Sequence, residues 1–316
     1  MPALARPATT GPFTHRAVFY SGARQYTDAV LPFVRAGLAA GDPVLVAVPG
    51  PRLDMVQAAL GGDAKRVTLV DMALAGRNPG RIIPWLLHDF ITGAAACGRP
   101  RIVGEPVWAG RPEREYPACV QYEALVNRAF ADRPATVLCP YDAGRLPRRV
   151  LADAHRTHPD VVNALPETRT AAYQGPEEVL AAFNLPLPEP SSAPTVLDFA
   201  RDDLPELRRL VTSRAERWGI SGDRIDDLVL AVSELAANSV EHAGGGGTLR
   251  LWRDGGGLVC EVRDGGRFAD PLAGRIPPPP TRPRGRGLLL VHHLCDLVRL
   301  HADARGTTIQ IHIAAD

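Results

Sequence analysis

Residues 184–194, Asn-Leu-Pro-Leu-Pro-Glu-Pro-Ser-Ser-Ala-Pro, hold four prolines in eleven positions and can continue neither a helix nor a central strand. The chain has 316 residues, long enough for two cores, and the break separates two different rhythms of apolar residues. We expect a domain over 13–183, a linker over 184–194 and a second domain over 195–316. Residues 1–16 read as a loose leader without the apolar stretch of a signal peptide.

Before the break, short β-branched runs at 16–20, 43–48, 66–70, 101–104 and 136–139 alternate with helix-compatible stretches at 23–39, 51–60, 79–96 and 113–131. This alternation predicts an α/β fold with a mostly parallel sheet covered on both faces. After the break the order changes. A strand at 195–199 precedes helices at 203–217 and 222–243. Two strands then flank Asp-Gly-Gly-Gly, a strong hairpin signal, and a Pro/Arg-rich loop leads to a short helix at 287–295 and two final strands. This half predicts an α+β sandwich with one mostly antiparallel sheet.

Charge narrows the function. Lys plus Arg number 36 and Asp plus Glu 35, a net +1 that gives no bulk reason to bind nucleic acid or an anionic membrane. Prolines and glycines interrupt every long apolar run, so the expectation is a soluble, cytoplasmic protein. Five cysteines, 97, 119, 139, 260 and 295, never form Cys-x-x-Cys and read as small buried side chains, neither a disulfide framework nor a zinc site. His155 and His158 lie three apart, but no further Cys/His pair completes a metal set. They read as surface or helix-end histidines.

The densest chemistry follows the break. Glu234, Asn238 and His242 recur at i, i+4 and i+8 beside the apolar stripe Leu228, Val229, Val232, Leu235, Ala236 and Val240, so they share one strip of a helix. A solvated face is the plainer reading of that strip alone. Further on, a strand ends at Asp264 and runs into Gly265-Gly266. There a carboxylate can accept a hydrogen bond from an exocyclic amine, and a residue without a β-carbon admits a close approach. Gly285 and Gly287 immediately precede an apolar helix, where backbone N–H groups and the helix dipole favour phosphate. Arg275, Arg282, Arg284 and Arg286 make the intervening segment a cationic, flexible cover. Gly306-Thr307 sits between two strands.

These four segments, in this order, resemble the N box and the three glycine boxes of the GHKL ATPase superfamily, whose fold is the Bergerat α+β sandwich. The subgroup they most resemble is the bacterial anti-sigma regulatory factors of the serine-kinase type. The resemblance implies ATP and Mg²⁺ as cofactors. Asn238 would coordinate Mg²⁺, Asp264 would bind the adenine amine and Gly266 would admit the purine. Gly285 and Gly287 would lie beside the phosphates, and His242 would approach one. Thr308 would support Asp264 or a bridging water, and Glu234 would be the catalytic group that polarises a hydroxyl. One departure is Phe268, which stands where the first glycine box carries its second glycine.

The N-terminal half lacks the Gly-x-x-x-x-Gly-Lys-Ser/Thr loop. Its segment 49–54, Pro-Gly-Pro-Arg-Leu-Asp, reads first as a tight strand-to-helix turn. Residues 15–49, 70–86, 104–110, 115–130 and 138–142 resemble the MEDS sensory domain, a divergent RecA-like module of bacterial regulators. The resemblance implies sensing of a small organic ligand. Glu105, Trp108 and Asp142 follow strand candidates, and strand carboxyl ends form the usual crevice of such sheets, so these three are candidate pocket residues. Against this stands a structural reading in which Trp108 caps the core and Glu105 pairs with Arg101 or Arg111.

The expectation is a signalling regulator, possible as a homodimer, in which the sensor biases an ATP-binding domain that restrains a sigma factor or phosphorylates a STAS-type anti-sigma-factor antagonist. A non-catalytic nucleotide-dependent clamp and a histidine kinase lacking its own phosphoacceptor domain are the alternatives.

Overall fold

The computed structural model describes residues 13–94, 96–162, 170–279, 281 and 284–315. They form two compact units, one built from residues up to Leu74 with His88–Pro112 and Glu123–Val179, the other from Ala75–Leu87, Glu113–Tyr122 and Leu180 onward.

Six strands make the first sheet: β1 (Phe13–Tyr20), β2 (Val44–Val48), β3 (Thr68–Asp71), β4 (Arg101–Gly104), β5 (Ala135–Asp142) and β6 (Asp160–Val161). Their order is β3-β2-β4-β5-β1-β6, and every pairing is parallel. β2, β4 and β5 are buried at every residue, as a parallel sheet covered on both faces requires. Helices α1 (Gly22–Ala40), α2 (Gly50–Leu60), α3 (Met72–Ala75), α4 (His88–Gly93), α5 (Tyr116–Ala129), α6 (Arg148–Thr157) and α7 (Pro176–Ala182) lie between and after the strands. Tyr26, Val30 and Val34 of α1 pack with Val46 and Val48 of β2, and α1 ends at Gly41, whose φ of 73° suits a residue without a β-carbon.

Several elements depart from expectation: α6 and α7 fall where no helix was expected. Residues 79–96 do not form one helix but a 3₁₀ turn (Pro79–Arg81), a π-helical turn (Ile82–Leu87) and α4. Pro79 and Pro84 each lack the N–H that a continuous ladder needs. Strand β6 is only two residues long, too short to leave a pattern in the sequence.

The second sheet is antiparallel throughout, in the order β10-β11-β9-β8-β7. Its strands are β7 (Thr195–Ala200), β8 (Gly246–Asp254), β9 (Gly257–Asp264), β10 (Leu297–Asp303) and β11 (Gly306–Ala314), and its helices α8 (Leu204–Arg217), α9 (Gly222–His242) and α10 (Gly287–Leu294). The β8–β9 turn uses Gly255 and Gly256 at φ 54° and 87°, the pair of left-handed positions that a two-residue hairpin demands. One face of the sheet, with Leu249, Leu251, Cys260, Val262, Ile309 and Ile311, shares a core with α8 and α9.

The other face is polar and equally organised. Glu261 is fully buried, accepting from Arg250 at 2.9 Å and from Gln310 at 2.7 Å. Glu189 of the Pro-rich stretch reaches Arg250 at 2.7 Å and Arg263 at 3.2 Å, while the Gln310 amide donates to the Pro188 carbonyl at 3.0 Å. Residues 185–194 thus have no helix or strand, as expected, yet part of them is fastened to this sheet.

Candidate functional site

Helix α9 buries Leu228, Val232, Leu235, Ala236 and Ser239, which leaves Glu234 and Asn238 half-buried on the flank of that stripe. They meet the start of α10. A β-carbon at Gly287 would stand 2.6 Å from Glu234 Oε2 and at ordinary contact, 3.6 Å, from Asn238 Nδ2, so glycine there leaves Glu234 where it is. Gly285, two residues earlier, has φ 97°, and its left-handed backbone turns the chain into the helix.

The residue next to Asn238 secures the other half of the site. Ser239 Oγ donates to Asp264 Oδ2 at 2.6 Å, and the Gly266 N–H donates to Asp264 Oδ1 at 2.9 Å. Thr307 Oγ1 closes the turn by donating to the Gly266 carbonyl at 2.8 Å. A β-carbon on Gly266 would come within 2.7 Å of the Ala243 β-carbon. The carboxylate is thereby fixed by two donors and keeps lone pairs for a third.

Several expectations change. Thr308 does not hold this turn. The two-residue period of β11 puts Thr307 on the helix-facing side with Ile309, Ile311 and Ile313, and Thr308 on the opposite side with Gln310. His242 ends α9 and is exposed, and among the described residues no hydrogen bond or ion pair joins it to Glu234 or Asn238. Arg275 is not part of an exposed cover: it is buried, and that burial lowers its guanidinium pKa to about 10. Arg284 and Arg286 are exposed, Phe268 is half-buried, and Arg282 lies outside the described residues. Ser239 is the neighbour of the turn that sequence reasoning missed, while Thr307, whose segment read either as support for a base pocket or as a hairpin turn, is the residue bonded to the turn. Ser239 carried a signal, as a small polar residue on the buried side of an amphipathic helix.

In the first unit, Glu105 and Asp142 come together at the carboxyl ends of β4 and β5. Tyr20, the last residue of β1, donates to Glu105 Oε1 at 2.9 Å. Arg52, in the first turn of α2, donates to Asp142 Oδ2 at 3.1 Å and lies 5.0 and 4.8 Å over the rings of Tyr20 and Tyr26. Glu105 Oε2 and the Tyr26 hydroxyl are buried without a hydrogen-bond partner. Burial pushes the Glu105 carboxyl up to about 8, against the opposing pull of the Tyr20 hydroxyl and Arg52. Trp108 is half-buried and stacked under the Arg111 guanidinium at 4.3 Å. Arg101 donates to Asp42 at 2.7 Å.

The histidine and cysteine expectations also change. His158 is fully buried, and its imidazole lies beside His15, Glu123 and Cys139. Cys97 is exposed, whereas the other four cysteines are buried.

A parallel α/β unit with polar groups gathered at its strand ends precedes an α+β sandwich of the Bergerat type, whose carboxylate–glycine turn and glycine-started helix are both set by α9. The comparisons agree. Residues 14–159 match the family described as MEDS, the MEthanogen/methylotroph, DcmR Sensory domain, and residues 198–313 match the histidine kinase-like ATPase domain. The chain carries a MEDS sensory domain fused to a histidine kinase-like ATPase domain. No curated protein matches it. Among solved structures it is similar to the RsbU and RsbW domains of Rv1364c from Mycobacterium tuberculosis, 21% identical over 39% of this chain and 32% of that one, with a TM-score of 0.31. The match thus spans about a third of that protein chain. Among the described residues no helix is long and apolar enough to cross a membrane.

Proposed function

We propose that residues 195–316 bind ATP with Mg²⁺ and act on a protein partner of the sigma-factor regulatory type, under the control of a small organic ligand held by residues 13–183. The observation that carries nucleotide binding is the double use of α9. Ser239 fixes the Asp264 carboxylate, and the adjacent Asn238 stands with Glu234 opposite Gly287. A base-reading carboxylate and a phosphate-facing glycine backbone are thereby set by neighbouring residues of one helix.

The residues suit that ligand. Asp264 has lone pairs left for an adenine amine, and Gly266 leaves the purine edge room. The backbone before α10 presents N–H groups to phosphate oxygens. The Asn238 amide oxygen is a hard ligand suited to Mg²⁺. Bound Mg-ATP supplies a transferable phosphoryl group and the cation that offsets its charge. Glu234, one helical turn before Asn238, orients an incoming serine hydroxyl and accepts its proton. The partner is an anti-sigma-factor antagonist of the STAS type, with the sigma factor itself the other candidate. The second reading, a clamp that binds nucleotide and partner without transfer, rests on the bulk of Phe268 beside the turn.

Calorimetry of the full chain with ATP, with and without Mg²⁺, tests binding. Asn238→Ala is expected to remove chiefly the Mg²⁺-dependent part of the affinity, and equal losses in both conditions would assign Asn238 to packing. Intact-mass detection of phosphoserine on candidate antagonists separates the readings. Glu234→Gln is expected to keep ATP affinity and slow transfer by about 10²-fold or more. A wild type that binds ATP and an antagonist but forms no product would favour the clamp.

A further inference from the structure

The buried cluster of the first unit draws on four separate elements. His15 comes from β1, Glu123 from α5, Cys139 from β5, and His158 from the residue that caps α6. All four are buried, and one ligand atom of each lies within 4.8 Å of the others. Glu123 Oε2 is 3.1 Å from His15 Nε2, 3.5 Å from His158 Nε2 and 3.8 Å from Cys139 Sγ, and His15 Nε2 is 3.3 Å from Cys139 Sγ. Metal bonds of about 2.0–2.3 Å would give a tetrahedron edges of roughly 3.3–3.7 Å; these four separations, 3.1–3.8 Å, lie close to that range, and the other two stay within 4.8 Å, so modest contraction would close the set.

The surrounding hydrogen bonds orient both rings. The Asn127 amide nitrogen donates to the Thr157 carbonyl at 2.8 Å and to the Glu123 carbonyl at 3.3 Å, so its oxygen is what faces His15 Nδ1 at 3.1 Å. His15 therefore carries its proton on Nδ1. His158 Nδ1 lies 2.8 Å from the Ala154 carbonyl and must donate to it. Both Nε2 lone pairs consequently point into the cluster, and His158 Nε2 has no hydrogen-bond partner there. The remaining Glu123 oxygen, Oε1, accepts from the Tyr141 hydroxyl at 3.0 Å. Three of the four donors thus have an outer partner of the kind that orients metal ligands: an amide or backbone carbonyl behind each histidine and a phenol behind the carboxylate.

We infer that His15, Glu123, Cys139 and His158 form a closed four-ligand site for a divalent transition metal, with Zn²⁺ the ion that best suits two imidazoles, one thiolate and one carboxylate. A 2+ ion would replace the thiol and carboxylic protons and leave the buried set with no net charge, whereas an ionised thiolate or carboxylate alone there would be uncompensated. With all four positions taken by protein the site is structural. It ties β1 and β5 to α5 and to the end of α6. Because the ligands are buried, metal enters as the unit folds.

The test uses the full chain, unfolded with reductant and chelator, then refolded with one equivalent of Zn²⁺ or Co²⁺ and no nucleotide. We expect one metal per chain by elemental analysis and a higher melting temperature than for the metal-free protein. X-ray absorption of the zinc form should show one sulfur at about 2.3 Å and three nitrogen or oxygen ligands at about 2.0–2.1 Å. The cobalt form should show a thiolate-to-metal charge-transfer band and strong visible bands of four-coordinate geometry. Cys139→Ser should abolish that charge-transfer band, and Tyr141→Phe should keep it while weakening affinity about 10- to 100-fold. A refolded wild type that takes up no stoichiometric metal, or a zinc shell without sulfur, would overturn the site. Both readouts come from wild type and stand even where a variant fails to fold.

Discussion

At the level of single side chains, the proposed nucleotide site depends on atoms that are absent as much as on those present. Gly287→Ala would push a methyl group against Glu234 Oε2, the mobile end of a side chain, so the fold should give way cheaply. The expected result is a melting temperature close to wild type together with transfer reduced about 10²-fold, because the displaced group is the proposed base. A variant that loses stability but keeps its transfer rate would refute that placement. Asp264→Asn presents an amide where Ser239 and Gly266 both donate, and it weakens the acceptor for the adenine amine. Loss of about 1.5–3 kcal/mol, seen as a tenfold or greater fall in Mg-ATP affinity by calorimetry, is expected. The order Glu234, Asn238, Asp264, Gly266, Gly287 was legible in the sequence because each residue type has a reason to stand where it does. The choice between Thr307 and Thr308 was not, since it turns on which face of β11 each occupies. His15, Glu123, Cys139 and His158 escaped for a plainer reason: they are scattered over four elements, and no spacing rule connects them.

Among the elements, β9 has the most to hold in place. It is the central strand of its sheet, it ends at Asp264, and its outward residue Glu261 is the buried hub for Arg250 and Gln310. Magnitudes separate that hub from the Pro-rich stretch lying over it. Glu261 is fully buried, so Glu261→Ala leaves the largely buried Arg250 with only the exposed Glu189 as its carboxylate partner and should cost about 3 kcal/mol in urea unfolding. Glu189 contacts Arg250 and Arg263 but is 72% exposed, so Glu189→Ala should cost less than about 1 kcal/mol. Similar losses for the two variants would mean that the Pro-rich stretch matters more to the sheet than its exposure implies. Most elements were readable in advance, for example β2 as a β-branched run and the β8–β9 hairpin from its glycines. What was lost, the broken 79–96 segment and the two-residue β6, depends on tertiary pairing that leaves no local period.

For the whole molecule, pH offers a handle on the first unit. Glu105 has its carboxyl raised from the ordinary 4.5 to about 8, facing Tyr20 of β1, Tyr26 of α1, Arg52 of α2 and Asp142 at the end of β5. The folded state keeps a proton that the unfolded chain releases, so this contribution to stability is full below pH 4.5 and is lost as pH rises toward 8. Glu105→Gln should therefore gain on wild type in melting temperature across that window, and a difference independent of pH would exclude the effect. The strand order has a consequence for how the chain is made. β1 precedes every other described strand, yet the nearer of its two ladder partners, β5, lies 122 residues away, while β8 and β9 are joined by a two-residue turn. On a ribosome, the apolar first strand must wait unpaired until more than a hundred further residues have emerged, whereas the hairpins of the second sheet can close soon after they appear. The sensory half is then the slow step of biogenesis and the part that most needs a chaperone, even though it precedes the ATPase half along the chain.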